Sequence, residues 1–363
     1  MRLNGILMSK NRPIARIEDG IITERDPQRL PLYLLKTGDV TGWLESRAID
    51  SHRTNSRLLK KALRLSASDD MEAVLRVHGA TITDTYWLQA EGETLSYEQI
   101  RFTENLFDQL ALRGDPDSFN LLSPDSRTPE LTNTGSFEKC WRQQDGSWYM
   151  LKSGNELERF SELFICAFGK RLGLDMAEYE ADGDYIRSKD FTQNASVNYE
   201  PASGIVLDNE EYAFNFRELG KFSERAAQQY VGMVYLDSLC FNMDRHTQNY
   251  GILRDVESGR VISLAPLFDH NIALIARGYP RLDRTHDRLI EWFVDFLKEE
   301  AEARRIFEGL PQLQIGEDLI MECIRQVPVQ VDSRFVCQFI QNGEQQIRKQ
   351  LEMGQMQSWE QTL

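Results

Sequence analysis

Residues 241–253, FNMDRHTQNYGIL, constrain the fold of this chain more than any other stretch. They set Asp244 and Asn249 five residues apart in a polar loop. The loop directly follows 226–239, a helical run that is apolar on most of its sides. A helix without a polar face is buried, so the loop starts from the inside of a helical body. Two short strands are expected next, 250–253 and 260–264, around a turn at 255–259. A second acid, Asp269, then stands in LAPLFDH, twenty residues beyond Asn249. An Asp and an Asn at this spacing would on their own read as turn caps. Capping does not require the helix before them, or the hairpin and acid behind.

Phosphoryl transfer does require such a set. It needs a carboxylate to orient the attacking hydroxyl, and oxygen ligands for a magnesium ion that bridges phosphates. In that chemistry Asp244 faces the acceptor, while Asn249 and Asp269 hold the metal. His246, inside the loop, is expected to brace it by hydrogen bonding and not to act as a base.

A hairpin lies upstream. Residues 136–142 and 147–152 alternate as strands around Asp145-Gly146, a turn in which glycine supplies positive φ. The segment 131–141, LTNTGSFEKCW, is a candidate phosphate-covering loop centred on Gly135, Ser136 and Lys139. Its single glycine makes it neither a Walker motif nor GxGxxG, and a plain β-turn would carry the same residues. Lys152 ends the apolar strand YMLK, a stiff platform from which an ammonium can neutralise phosphate. A helix over 156–172 follows, with Leu157, Phe160, Leu163, Phe164, Ala167 and Phe168 spaced by threes and fours. Glu158 and Glu162 on that helix are both candidates to hold Lys152 extended. Glu162, beside Leu163, is on the more apolar side.

Around this core, the first ~125 residues mix short strands with helices such as 57–65, and the last ~80 are almost wholly helical, with a stripe Leu289-Phe293-Phe296. The stretch 113–129, rich in Pro, Ser and Asp, is the candidate linker. The expected fold class is therefore α+β. The expected segments are an N-terminal region 1–125, a small mixed lobe 126–192 and a helical lobe 193–363.

Composition narrows the function. Among 363 residues, 41% are hydrophobic and 27% charged, and the net charge is −15. Such an acidic surface repels phosphate backbones, which disfavours direct nucleic-acid binding. Five cysteines without a CxxC pair point to a reduced, cytoplasmic chain. No apolar run approaches a membrane span, and the apolar stretch near the N-terminus is too short for a signal peptide. There is no GxSxG and no HExxH, and the five histidines lack metal-ligand spacing, so a zinc site is not expected.

DRHTQN followed by APLFD, with TGSFEK and YMLK upstream, resembles the HipA-like Ser/Thr kinases, the toxin halves of bacterial toxin–antitoxin pairs, and their relatives. The resemblance runs over about 131–274. It implies a protein-kinase-like two-lobed fold, a small mixed N-lobe and a larger helical C-lobe, here behind an N-terminal extension. It implies transfer of the γ-phosphate of ATP, with Mg2+, to a Ser or Thr of a protein substrate, and an antitoxin-like partner. Asp244 matches the family's catalytic aspartate, Asn249 its magnesium asparagine, and Asp269 the counterpart of the kinase DFG aspartate. Lys152 matches the lysine on the ATP phosphates, and Gly135 to Lys139 the nucleotide-covering loop. YIRSKDF, residues 185–191 and including Asp190, resembles the strand and hinge that bind adenine. Thr132 falls nearest the place of an autophosphorylated serine, with Thr134 and Ser136 as rivals. Two features depart from the pattern. The acidic loop reads FDHN, not Asp-Phe-Gly, and the N-terminal region resembles a shorter subgroup with DTYW at 84–87. A small-molecule kinase and an ATP-binding pseudokinase use the same residues and stay open at this point.

Overall fold

A computed structural model describes residues 3–53, 55–66, 69–115, 126–311 and 315–360, with side chains to 353. In chain order the strands are β1 (Gly5–Ser9), β2 (Arg12–Glu18), β3 (Ile21–Arg25), β4 (Tyr86–Ala90), β5 (Lys139–Gln144), β6 (Ser147–Lys152), β7 (Tyr179–Asp182), β8 (Tyr185–Lys189), β9 (Val197–Pro201), β10 (Gly251–Asp255) and β11 (Val261–Leu264). The helices are α1 (Leu32–Thr37), α2 (Val40–Glu45), α3 (Ser56–Ala62), α4 (Asp70–Arg76), α5 (Tyr97–Ile100), α6 (Asp108–Arg113), α7 (Glu156–Arg171), α8 (Ser203–Val206), α9 (Tyr212–Gly220), α10 (Glu224–Leu239), α11 (Arg288–Glu299), α12 (Ala301–Gly309), α13 (Glu317–Arg325) and α14 (Ser333–Glu360). The expected α+β class is what is observed. Most of the expected linker, 116–125, lies outside the described residues.

Two compact units emerge. The first holds Met1–Ser153, Asp182–Leu207 and Gly251–Ile262; the second holds Gly154–Ala181, Asp208–Tyr250 and Ser263–Leu363. These limits differ from the expected boundaries at 125 and 192, for a reason visible in the first unit. Trp141 and Trp148 of the β5–β6 hairpin pack in one apolar core with Met8, Trp87, Phe102 and Phe107. Tryptophan buries more apolar area than any other side chain, so the hairpin and the N-terminal region are one body.

Within that first unit, β3-β2-β1-β4 form an antiparallel sheet whose other face carries a second core, including Leu7, Ile17, Trp43 and Leu88. The second sheet of this unit carries β5, β6 and β8, in that order. Residues 136–138, expected in strand, stay outside it, and β5 begins at Lys139. A third sheet pairs β9 with β10 from Gly251↔Pro201 to Asp255↔Val197. A buried polar network fixes it. Glu200 accepts from Leu32 N (2.7 Å) and Tyr86 Oη (2.9 Å) and pairs with Arg254, which donates to the carbonyls of Leu30 (3.0 Å) and Gln28 (2.7 Å). Arg47 and Thr81 donate to Asp84 of the DTYW motif, whose Trp87 is fully buried.

The second unit is helical. An Asn155–Glu158 capping box starts α7, and each side chain satisfies the other's backbone N–H (2.8–3.0 Å). Phe160, Phe164 and Phe168 stack along its buried face at centroid spacings of 5.4 and 5.6 Å. Ser223 caps α10, which is buried on nearly every side from Ala226 onward, as expected. It stops where Arg284 donates to its last carbonyls, Ser238 O (2.6 Å) and Leu239 O (2.9 Å). A cation at a helix C-terminus satisfies both the orphan carbonyls and the dipole.

Candidate active site

The helix stop at α10 fixes where the Asp244 loop begins. Phe241 turns the chain at φ +53°, and Asn242 is then tied back to Asp237 through its N–H (2.9 Å) and its Nδ2 (2.8 Å). Asn242 Oδ1 accepts from Asp244 N at 3.2 Å. Two tight turns follow. His246 N donates to Asp244 O (3.0 Å), and Asn249 N to His246 O (2.9 Å). Asn249 Nδ2 also donates to Asp244 O, at 2.8 Å, so Asp244 and Asn249 are joined through the loop backbone. His246 Nδ1 accepts from Gln248 N (3.3 Å), the bracing role its position suggested.

Asp269 sits at φ +64°, a left-handed conformation uncommon outside glycine and the Asp/Asn pair. Its N–H points at Tyr179 Oη (3.4 Å), and the next N–H, of His270, donates to the fully buried Glu162 Oε1 at 2.9 Å. Just before Asp269, Leu267 forms a parallel bridge with Met176 and exchanges hydrogen bonds with Asp175 O and Ala177 N (2.8 and 2.9 Å). Of the two glutamates weighed on α7, Glu158 is committed to the helix cap, while Glu162 supports the Asp269 loop.

Both loops meet at Arg245. Its guanidinium takes Asp237 with both arms (2.8 and 3.1 Å) and donates to Phe268 O (2.8 Å), to Asn249 O and toward His270 Nε2 (2.9 Å). The planar fork of arginine can serve a carboxylate and two carbonyls together, which a lysine cannot. Arg245 and Asp237 are almost wholly buried. Sequence reading left both without a role. The available signal was Asp237 itself, an acid inside an otherwise apolar buried helix, which demands a buried partner.

Asp244 is half-buried. Burial raises its carboxyl above the ordinary aspartate range; neighbouring His246 lowers it in part, and the nearby Asp269 charge raises it again. Two carboxylates close enough to disfavour each other's charge, with an asparagine beside them, are a hard-oxygen set suited to a divalent cation. Among the described residues no three or more His, Cys, Asp or Glu side chains form a metal cluster.

In the other unit, Lys152 ends β6 with its side chain buried, in register with Lys139 and Ile186. Gly135 has φ +99°, and the Lys139 ammonium lies only 2.4 Å from where a Cβ on Gly135 would stand. The lysine tip can swing aside, so it is the positive φ that favours glycine here. Thr134 and Ser136 on this loop are exposed. Two expected residues are placed differently. Thr132 belongs to a buried 3-10 turn, Pro129–Thr132, and not to an open loop. Its hydroxyl donates to Ala80 O at 2.6 Å, because the turn is pinned beneath it by the buried Glu130–Arg53 pair. Asp190 is also buried, and accepts from Thr192 N (2.8 Å), Thr192 Oγ1 (2.6 Å) and Asn194 N (2.8 Å). Its side chain closes the turn after β8.

No family model matches the sequence, and no curated protein matches it. Solved structures do. HipA in the Shewanella oneidensis MR-1 complex of HipA, HipB and operator DNA aligns with a TM-score of 0.61 at 12% identity, covering 95% of this chain and 97% of that one. The Helicobacter pylori proinflammatory kinase CtkA aligns with a TM-score of 0.46 at 17% identity, over 61% of this chain and 95% of that one. The HipA alignment shows that the fold is HipA-like, hence kinase-like, over nearly the whole chain.

Proposed function

We propose that this chain is a phosphotransferase that moves the γ-phosphate of ATP, with Mg2+, to a Ser or Thr hydroxyl of a protein. The observation that carries this is the Arg245 clamp, which holds the Asp244–Asn249 loop and the Asp269 loop on one buried guanidinium. A purely structural loop pair would not need an acceptor-type carboxylate and a metal-type carboxylate so close that their charges interact.

In the proposed reaction Asp244 accepts a hydrogen bond from the acceptor hydroxyl. The acceptor oxygen bonds to the γ-phosphorus as the bond to the β,γ-bridging oxygen breaks. ADP leaves, and the hydroxyl proton passes to the Asp244 carboxylate. A carboxyl raised above its ordinary range suits that transfer, since it binds the proton more readily at neutral pH. Asn249 and Asp269 would hold Mg2+, which supplies neutralisation of phosphate charge when bound. Lys152 is proposed to contact phosphate, with Gly135, Ser136 and Lys139 as the covering loop. The HipA fold likeness supports a toxin or regulator role and an antitoxin-like partner protein; HipA itself is seen in complex with HipB and DNA. A cytoplasmic site of action belongs to the same proposal. Among the described residues no helix is long and apolar enough to cross a membrane.

The test is incubation of the protein with γ-labelled ATP, magnesium and bacterial extract, alongside Asp244→Asn. Label should appear in protein, and the variant should keep nucleotide affinity while losing transfer. Label on a metabolite alone would make it a small-molecule kinase. ATP binding without any transfer would make it a pseudokinase, and wild-type turnover in Asp244→Asn would reduce Asp244 to a loop cap.

A further inference from the structure

We infer that a groove beside the Asp244 loop binds a Lys- or Arg-bearing segment of the polypeptide substrate. This rests on the phosphotransferase reading above and adds the substrate's chemistry to it. The helical unit contains a cavity of about 430 Å³ that no residue of the proposed transfer uses except through Arg245. Its apolar surface comes from Leu289, Phe296, Trp292 and Met243. Trp292 and Met243 are each 54% exposed. Single exposed apolar residues are ordinary, but two large ones lining one hollow mark a surface that something covers.

Charge decides what covers it. Glu210, Glu211, Asp295 and Glu299 line the same hollow. Asp295 is paired with Lys298 (3.0 Å) and Glu299 with Arg217 (3.3 Å). Glu210 and Glu211 have no ion pair among the described residues, and the one cation in the lining, Arg245, is committed to Asp237. The groove is therefore an apolar floor under uncompensated negative charge. Lysine and arginine match it end to end, with an aliphatic stem for Met243 and Leu289, a cationic head for the glutamates, and a cation–π partner in Trp292. The net charge of −15 adds attraction at longer range.

Position favours a polypeptide over a free polyamine. Asn242 and Met243 line the groove, and the next residue is Asp244. Neighbouring Cα atoms lie about 3.8 Å apart, and an extended guest advances about 3.3 Å per residue. A guest that offers a hydroxyl to Asp244 thus reaches the groove with a side chain only a few residues away.

The test uses the full chain, Mg-ATP, and two synthetic acceptor peptides: one with Ser and Thr among Lys and Arg, and one in which Glu replaces the basic residues. The basic peptide should show a KM about tenfold lower, rising with salt. Glu210→Gln with Glu211→Gln should raise that KM about fivefold, with kcat held, and should not raise the acidic peptide's KM. Equal KM values for the two peptides in an active enzyme would overturn the groove assignment and leave the phosphotransferase reading standing. So would spermidine binding that the double variant abolishes while neither peptide responds. If no peptide is phosphorylated, anisotropy of the fluorescein-labelled basic peptide decides. Binding weakened by the double variant supports the groove and counts against transfer, and absence of binding overturns it.

Discussion

Arg245→Ala tests the clamp on which the site depends. In the wild type the guanidinium is 5% exposed and Asp237 3% exposed. Truncation leaves Asp237 buried without its countercharge, and loss of one partner from such a pair costs about 3–5 kcal/mol. Phe268 O and Asn249 O also lose a donor. Each buried carbonyl left unpaired adds about 1–2 kcal/mol, reduced where water enters the vacated volume. A total of about 5–9 kcal/mol before any such relief is comparable with the whole stability of a modest domain, about 5–15 kcal/mol. The cheaper outcome is local: the two loops let go and Asp237 reaches water. Hydrogen–deuterium exchange should therefore rise together in peptides covering 242–250 and 266–271. Urea unfolding should show a loss smaller than the sum. Asp237→Leu/Arg245→Met, which removes both charges, should recover much of the unfolding midpoint but not the slow exchange, since the carbonyls stay unpaired. A loss below about 1 kcal/mol in Arg245→Ala, or faster exchange in only one loop, would refute the clamp.

Asp269→Ala should remove the magnesium dependence of ATP binding, because a divalent ion between phosphates needs a carboxylate opposite; calorimetry with and without magnesium reads it, and unchanged affinity refutes it. Asp190→Ala strands three donors at Thr192 and Asn194 and should cost about 2–4 kcal/mol in a denaturant titration, with an effect under about 0.5 kcal/mol contradicting the turn-closing role. Thr132→Val should cost about 1 kcal/mol through the lost Ala80 bond. If the enzyme phosphorylates its own loop, mass spectrometry should find the phosphate on the exposed Thr134 or Ser136, and full occupancy at Thr132 in folded protein would contradict its burial.

What the sequence made legible is what short range encodes. The Phe160-Phe164-Phe168 stripe gave α7 and the apolar run at 226–239 gave α10, because helical period and burial are written locally. Asp145-Gly146 gave the hairpin in register. Thr132 was misplaced because TNTG has the composition of an open turn, while its burial depends on Ala80, fifty-two residues away. The joining of hairpin and N-terminal region was equally out of reach, since Trp141 and Trp148 meet Met8 and Trp87 only through the tertiary core. Glu162 could be favoured over Glu158 from its neighbours, but the N–H it accepts comes from His270, 108 positions on.

The spacing of Asn249 and Asp269 shows how far this goes. Phosphoryl chemistry asks for both oxygens and says nothing of the twenty residues between them. Those residues run through β10 and β11, and β10 is held in its own unit by demands unrelated to chemistry. A Cβ on Gly251 would stand 2.2 Å from Glu200 O and 2.9 Å from the Pro201 Cα, so only glycine lets the strand pair with β9 directly after the loop. Three residues later Arg254 is buried against Glu200, Leu30 O and Gln28 O. β10 cannot then slide: a register shift by one residue would bury Leu253 against Glu200 and strand the arginine. The N-terminal region, whose own sequence carries no catalytic pattern, thereby fixes the register of β10 within its own unit.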